Sequence, residues 1–588
     1  MKPQALLFCV LLFVWPIGSC TGDGTKAKGD PPYRVSTVMD LLSKLTDVKH
    51  VKEVMAKAAD GIITRKACEI CEGVTSVLAT YIKQEKSLEG IFSLIMTGCG
   101  FFKIAEDEVC SGFIRQYKDE VNYVVKNLIS PADEVCSVFL GPPCGELRSG
   151  IHKWSVSLDE EKKPPPPRDI PVVTNNRPLT VLHLADTHYD PEYKPGSNGK
   201  CEDPLCCRTG RPATKDAEAG KWGYPGKCDL PYQTMENMMQ HAASTHKIDM
   251  ILWTGDIPPH DAWKSTKQEN IYNIRNTSAL IQKYFPDVPV YPSLGNHEAV
   301  PSNSFPVRNP SNRNVQWLYD EVASDWSRYL PNSTVDTIKR GGFYAVKATD
   351  GLTVISLNTN FCYIYNWWLA YNSTDPEGQL QWFVSQLQAA EDAGEKVFVI
   401  AHIPPGYFEC TKVWSREFHR IVNRYESTIT AQFYGHIHND EFQVYHDIEE
   451  KSRPINVAYV APSLTTFVGQ NPGYRLYLVD GGHSNATWTI TDHETYVMDV
   501  AEANLTNEPK WKLEYTARAA YGLQSLSSKE WSNLISRMNK NDEIFEKYHK
   551  YSNKLYPTNA CDKACKRKTI CRMRAYADQV LTDCVNQK

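Results

Sequence analysis

Five short clusters hold the residues of this 588-residue chain best able to do chemistry: Asp186-Thr-His188, Gly255-Asp256, Gly295-Asn296-His297-Glu298, Ala401-His402 and Gly435-His436-Ile-His438. Their metal-binding donors are nitrogen and oxygen with no thiolate, a set that suits zinc, iron or manganese. Asp186 and His188 stand two apart, as do His436 and His438, so in a locally extended chain each pair shares one face. A carboxylate such as Asp256 can bridge two cations, which a neutral imidazole cannot, and Asn296 offers a carbonyl oxygen. Singly these motifs say little, since an Asp-X-His triplet or a Gly-Asp pair is usually a solvated turn. In this order and together they imply a two-metal centre that activates water against a phosphate ester.

Every cluster follows an apolar run that reads as a buried strand: TVLHLA, DMILWT, VPVYPSL, KVFVIA and ITAQFY. Between 178 and 480 such runs alternate with helix-like segments, among them GQLQWFVSQLQAAEDAG, which is the α/β pattern. Open α/β sheets collect ligands at the carboxyl ends of their strands, and all five clusters are predicted to lie there.

Length suggests two to four domains. With 42% hydrophobic and 23% charged residues and a net charge of -5, the chain has a globular composition without the basic excess of a nucleic-acid binder. No nucleic-acid partner is expected, and the expected state is a monomer. Residues 1–20 carry Lys2, an apolar stretch from Ala5 to Trp15 and the small residues Gly18, Ser19 and Cys20, the pattern of a signal peptide. No later segment is long and apolar enough to predict a membrane span. Cys9 and Cys20 fall in the signal, leaving sixteen of the 18 cysteines, an even number that fits disulfides formed in an oxidising compartment. Five Asn-X-Ser/Thr sequons, at Asn276, Asn332, Asn372, Asn485 and Asn504, point the same way. A secreted or lysosomal protein is the expectation.

Residues 62–150 hold Cys68, Cys71, Cys99, Cys110, Cys136 and Cys144 between segments with helical apolar spacing, such as EVCSGFIRQYKDEVNYVVKNLI. Cys68 and Cys71 form a CxxC, but no second close pair follows at metal-ligand spacing, so disulfides are favoured over zinc. The region resembles a saposin domain of the B type, a small helical bundle that contacts lipid. That resemblance implies the pairs Cys68–Cys144, Cys71–Cys136 and Cys99–Cys110. Residues 151–177, with a proline run from Pro164 to Pro167, are expected to be a semi-rigid linker. Cys201, Cys206, Cys207 and Cys228 lie in a Gly/Pro-rich insertion after the first ligand motif and are expected to staple a loop, as are Cys362 and Cys410. Residues 481–588, with Cys561, Cys565, Cys571 and Cys584, read as a disulfide-stapled helical extension.

The order of the metal motifs resembles that of the calcineurin-like metallophosphoesterases, and with the upstream saposin-like segment nearly the whole mature chain is similar to the acid sphingomyelinase family. The resemblance implies an α/β fold: a helical saposin bundle, then a β-sandwich flanked by helices over 178–480, then the helical extension. It implies two zinc ions, one on Asp186, His188, Asp256 and His438, the other on Asp256, Asn296, His402 and His436, with Asp256 shared. The related purple acid phosphatases place a tyrosine three residues after the bridging aspartate. Pro259 stands there in this chain, which argues against a Tyr–iron centre. The implied reaction splits membrane sphingomyelin into ceramide and phosphocholine. Ceramide's alkoxide is too basic to leave without a proton, and the family's general acid falls on His297, with His260 the second candidate. Two alternatives stay open at this point: a nucleotide-cleaving phosphodiesterase of the acid-sphingomyelinase-like kind, and a catalytically dead lipid-binding glycoprotein.

Overall fold

The computed structural model describes residues 63–83, 106–159, 163–165, 177–307 and 315–575, with the isolated positions 54, 57, 96 and 584. The expected signal segment 1–20 and Cys99 lie outside the described residues.

Two mixed sheets form the centre. The first runs in the order β12-β11-β10-β1-β2-β3. Its strands are β1 (Leu179–Leu184), β2 (Met250–Trp253), β3 (Val290–Pro292), β10 (Gly473–Val479), β11 (Ile490–Met498) and β12 (Trp511–Thr516). The second runs β13-β8-β9-β7-β6-β5-β4. It comprises β4 (Tyr344–Thr349), β5 (Leu352–Ser356), β6 (Lys396–Ile400), β7 (Ile429–Tyr434), β8 (Glu441–His446), β9 (Pro454–Val460) and β13 (Arg574–Ala575). β1, β2 and β3 are parallel, as are β5, β6, β7 and β9. Parallel strands are covered on both faces, which is why MILW of β2 is buried at all four positions and reads as an unbroken apolar run. One core joins the sheets through Leu184, Leu252, Phe398, Phe433 and Leu476. A second, around Val399, Phe383 and Phe418, seats the helices Gln379–Asp392 and Lys412–Arg424 against the opposite face of the second sheet.

Two expected boundaries move. The α/β region does not end at 480, because β11 and β12 complete its first sheet. β11 escapes an apolar-period reading because its buried face carries His493 and Thr495, and Thr495 Oγ1 donates to Asp440 Oδ2 at 2.9 Å while accepting from Arg475 Nε at 2.9 Å. The helical extension therefore begins after β12, with Ser528–Lys540, Asp542–Ser552 and Lys563–Arg572. The linker differs too. Residues 151–159 lie strapped along the helix Lys412–Arg424: Val156 N donates to Glu417 Oε2 (3.1 Å), and Arg416 and Arg424 donate to the carbonyls of Trp154 (2.8 Å) and Asp159 (2.7 Å). The alternation Trp154-Ser-Val156-Ser-Leu158 is the signal of that half-buried extended segment.

Upstream lie helices Arg65–Lys83, Asp107–Lys126 and Ala132–Leu140; Cys71–Cys136 ties the first to the third, and Cys68–Cys144 ties the first to the turn that follows the third. Cys110 is disulfide-bonded, and the expected Cys99–Cys110 pair lies outside the described residues. Elsewhere the pairs are Cys201–Cys206, Cys207–Cys228, Cys362–Cys410, Cys561–Cys565 and Cys571–Cys584. Among the sequons, Asn332 and Asn485 are exposed and Asn276 and Asn372 half-buried. Asn504 is the least suited to a glycan, since its Nδ2 donates to Gly223 O (2.9 Å) and its Oδ1 accepts from Trp222 N (2.8 Å), tying down the cysteine-rich insertion.

Candidate metal centre

All seven residues expected as ligands converge at the carboxyl ends of β1, β2, β3, β6 and β7, buried at 3% exposure or less. The backbone there is strained. Asp186, His188, Asp256, His436 and His438 have φ of +49°, +38°, +55°, +74° and +67°. Each such residue costs about 1–3 kcal/mol and persists only where its surroundings over-determine it. Loop amides do that work. Asp186 N donates to Gly255 O (3.1 Å) and His188 N to Asp256 O (3.0 Å). The carboxylates divide their oxygens: Asp186 Oδ1 accepts from His436 N (2.8 Å) and Asp256 Oδ1 from His297 N (2.9 Å). Asp186 Oδ2 and Asp256 Oδ2 are left buried without a hydrogen-bond partner.

Two donor groups result, Asp186–His188–His438 and Asp256–His402–His436, each with its ligand atoms within 4.8 Å of one another. Asp256 Oδ2 stands 3.4 Å from His188 Nε2 and 3.1 Å from His402 Nε2, between the two groups. Asn296 Oδ1 completes the second, 3.0 Å from His402 Nε2 and 2.9 Å from His436 Nδ1. His188 and His402 donate Nδ1–H to the carbonyls of Pro258 (2.8 Å) and Thr254 (2.7 Å), so each turns the Nε2 lone pair inward. Nε2 of His188 and His438 then lie 3.1 Å apart, as do His402 Nε2 and His436 Nδ1. Lone pairs aimed into common space beside two orphaned carboxylate oxygens are what a pair of divalent cations requires, so the donor set fits a two-metal centre.

The electrostatics agree. Burial raises the Asp186 carboxyl. At Asp256 burial pushes the same way but is outweighed by His402 and His297, which hold that carboxyl well below the usual range. Glu298, buried beside Asp256, is pushed up to about 8, and its Oε1 accepts from Ile257 N at 2.9 Å. A bound cation favours charged carboxylates and lowers these penalties.

His297 and His260 lie over this centre, with ring centroids 4.9 Å and 3.9 Å from His188 and 4.7 Å from each other. Burial holds His297 down at about 3 and His260 well below its ordinary value. His260 is positioned by a residue the motif reading did not include. Asp229 Oδ1 pairs with His260 Nδ1 at 2.8 Å, its Oδ2 accepts from His260 N at 2.7 Å, and Phe467 stacks on the ring at 3.8 Å. Burial raises Asp229 to about 7, so it disfavours charge on both partners. Glu409 Oε2, 2.7 Å from His436 Nε2, was missed as well. So was Lys554, which reaches in from the C-terminal extension to donate to Ser463 O (3.0 Å) and Oγ (2.7 Å) beneath His438. Asp229, Glu409 and Lys554 lie in loops with no periodic signal, and only the fold brings them here.

Residues 179–440 match the calcineurin-like phosphoesterase family and 453–588 match the acid sphingomyelin phosphodiesterase C-terminal region. The chain is 41% identical over 517 residues to human sphingomyelin phosphodiesterase, spanning 87% of this chain and 82% of that protein. It is 35% identical to Caenorhabditis elegans sphingomyelin phosphodiesterase 1, spanning 92% and 97%. Human acid sphingomyelinase-like phosphodiesterase 3b is 31% identical, spanning 69% of this chain and 90% of that protein.

Proposed function

Since the chain belongs to the acid sphingomyelinase family, we propose that it hydrolyses sphingomyelin to ceramide and phosphocholine at the centre built around Asp256. The observation that carries this reading is the position of Asp256 Oδ2, which faces His188 at 3.4 Å and His402 at 3.1 Å and so can serve two ions at once. Asp186, His188, Asp256 and His438 would hold one zinc, and Asp256, Asn296, His402 and His436 the other. When bound, such ions lower the pKa of water toward neutrality and neutralise phosphate oxygens. His297 protonates the ceramide oxygen as the ester bond breaks. Burial opposes charge on its imidazole, and the anionic phosphate entering the pocket supplies the opposite charge that favours the protonated form. His260, fixed by Asp229 and Phe467, holds the phosphate from the same side.

The region over 62–150 is the lipid-facing module in this reading, a saposin-like domain that makes peripheral contact with the bilayer. Its helix Asp107–Lys126 sits on the two loops that carry His260 and His297. Gln116 Nε2 donates to Ser265 O (2.8 Å) and Tyr117 Oη to Ser302 O (2.7 Å). Lipid engaged by the module is thereby next to the acid. The disulfides and sequons support a secreted or lysosomal setting.

Purified, zinc-replete protein should release phosphocholine from sphingomyelin with little turnover of ATP offered separately. ATP hydrolysis outpacing sphingomyelin hydrolysis would overturn the assignment in favour of a nucleotide-cleaving enzyme.

A further inference from the structure

His188 and His402 are aimed by neutral backbone carbonyls and present Nε2 to the centre. His436 is built the other way round. Its Nδ1 faces inward, 2.9 Å from Asn296 Oδ1, and its Nε2 lies 2.7 Å from the carboxylate of Glu409, which is 7% exposed. A carboxylate accepting the outer N–H fixes the tautomer and makes the inner nitrogen a stronger donor than a carbonyl does. The difference falls on the donor group with no carboxylate of its own: Asn296, His402 and His436 bring none, and Asp256 is shared with the other group.

Glu409 is held rigidly enough for the task. It precedes Cys410, which is bonded to Cys362. Its carbonyl accepts from Ile364 N (2.9 Å), Thr411 N donates to Cys362 O (2.7 Å), and Tyr363 and Cys410 form a β-bridge. Tyr363 also packs edge-on against the His436 ring at 5.0 Å. The loop is thus braced on both sides of Glu409, and the brace reaches the ring that Glu409 orients.

We propose that Glu409 is a positioning residue for the metal centre: it fixes His436 with Nδ1 inward and strengthens the hold of the Asn296–His402–His436 group on its ion. This rests on the two-metal reading above. The outer partners of metal-bound histidines are typically worth 10- to 100-fold in metal affinity. The test is a chelator titration of the zinc-loaded protein, with retained zinc measured by mass spectrometry, for the parent, Glu409→Ala and Glu409→Gln. The Ala variant should give up one of its two ions at about 10- to 100-fold lower chelator, while its metal-free form melts where the metal-free parent does. Glu409→Gln keeps an acceptor and loses the charge, so it should fall between the two. It also decides the matter should the Ala variant fail to fold. Titrations of both variants that superimpose on the parent's would overturn the proposal and leave the two-metal reading standing. A parent that retains no zinc would overturn both.

Discussion

Gly295 should tolerate no side chain without loss, and the cost can be worked from distances. A Cβ added there would stand 2.2 Å from Asp256 Oδ1, 2.3 Å from Asp256 N and 2.8 Å from Glu298 Oε2. Ordinary contact begins at 3.4 Å, so the gap from 2.2 to 3.4 Å demands about 1.2 Å of movement. The Asp256 backbone cannot yield freely, because Gly255 lies against Gly295 from the other side, with its own virtual Cβ 2.3 Å from Gly295 N. Asp256 and Asn296 must therefore shift, and both belong to the proposed centre. Misplacement by about 1 Å costs on the order of 100-fold in rate, or about 2.7 kcal/mol of transition-state stabilisation. Overpacking should cost a further ~1–3 kcal/mol of stability. The assay is kcat/KM on sphingomyelin in mixed micelles, with zinc content measured alongside. Gly150→Ala is the control, since nothing lies within 4 Å of its virtual Cβ. Gly435→Ala should give a milder loss, its added carbon meeting Asp186 Oδ2 at 2.6 Å, a side-chain tip. If Gly295→Ala kept two zinc ions and kcat/KM within about threefold of the parent, the reasoning from close approach would be wrong.

Three further outcomes are expected. His297→Ala should slow sphingomyelin turnover by about 10²- to 10⁴-fold but spare a bis(nitrophenyl) phosphodiester, whose phenolate leaves without a proton; equal losses on both substrates would make His297 structural. A Cβ at Gly112 would stand 2.4 Å from Trp263 O, so Gly112→Val should pry the helix Asp107–Lys126 from the catalytic loops and selectively impair hydrolysis of sphingomyelin in liposomes. Undiminished liposome hydrolysis would mean that this seating plays no part in lipid delivery. Burial opposes ionisation of Asp447, but hydrogen bonds from Glu450 N, Arg453 and Glu449 N prevail and hold its carboxyl at about 2. A depressed carboxyl stabilises the fold above its unfolded value and loses that contribution as pH falls, so Asp447→Asn should lower Tm equally at pH of about 5 and 7, with the difference shrinking from about pH 4 toward 2. A difference that grew on acidification would contradict the assigned direction.

The sequence is legible where burial is simple. β1, β2, β6 and β7 lie inside their two sheets, each with a parallel neighbour, so both faces are buried and the strands appear as short, mainly apolar runs whose ends carry the Asp and His clusters. β11 shows the limit. Its inward Thr495 is satisfied by Asp440 and Arg475, and its inward His493 packs edge-on against Tyr515; these partners come from three other segments, so no local pattern marks the strand. The strap over Trp154–Leu158 does carry a period of two, but the prolines just beyond it draw the eye to a linker. Asp229 and Glu409 lie in loops where sequence neighbours say nothing of position. Their roles depend on a chain reversal that brings them to histidines 31 and 27 residues away.

What lies outside the catalytic sheets then acquires a physical purpose. The five left-handed residues of the centre together hold strain approaching the net stability of an ordinary domain, and the strand ends alone cannot enforce it. The C-terminal extension grips one side: Ser552 O accepts from Asp440 N and from Asn439 Nδ2, both at 3.0 Å, directly after His438. Lys554 anchors Ser463, whose N–H donates to His438 O at 3.2 Å. The helical region grips the other side, through Ser265 and Ser302 just beyond His260 and His297. A minimal catalytic fragment would keep every proposed ligand in its sequence and lose the contacts that hold these residues in conformations an unbraced chain rejects. The flanking segments are therefore part of the metal centre's construction, whatever else they bind.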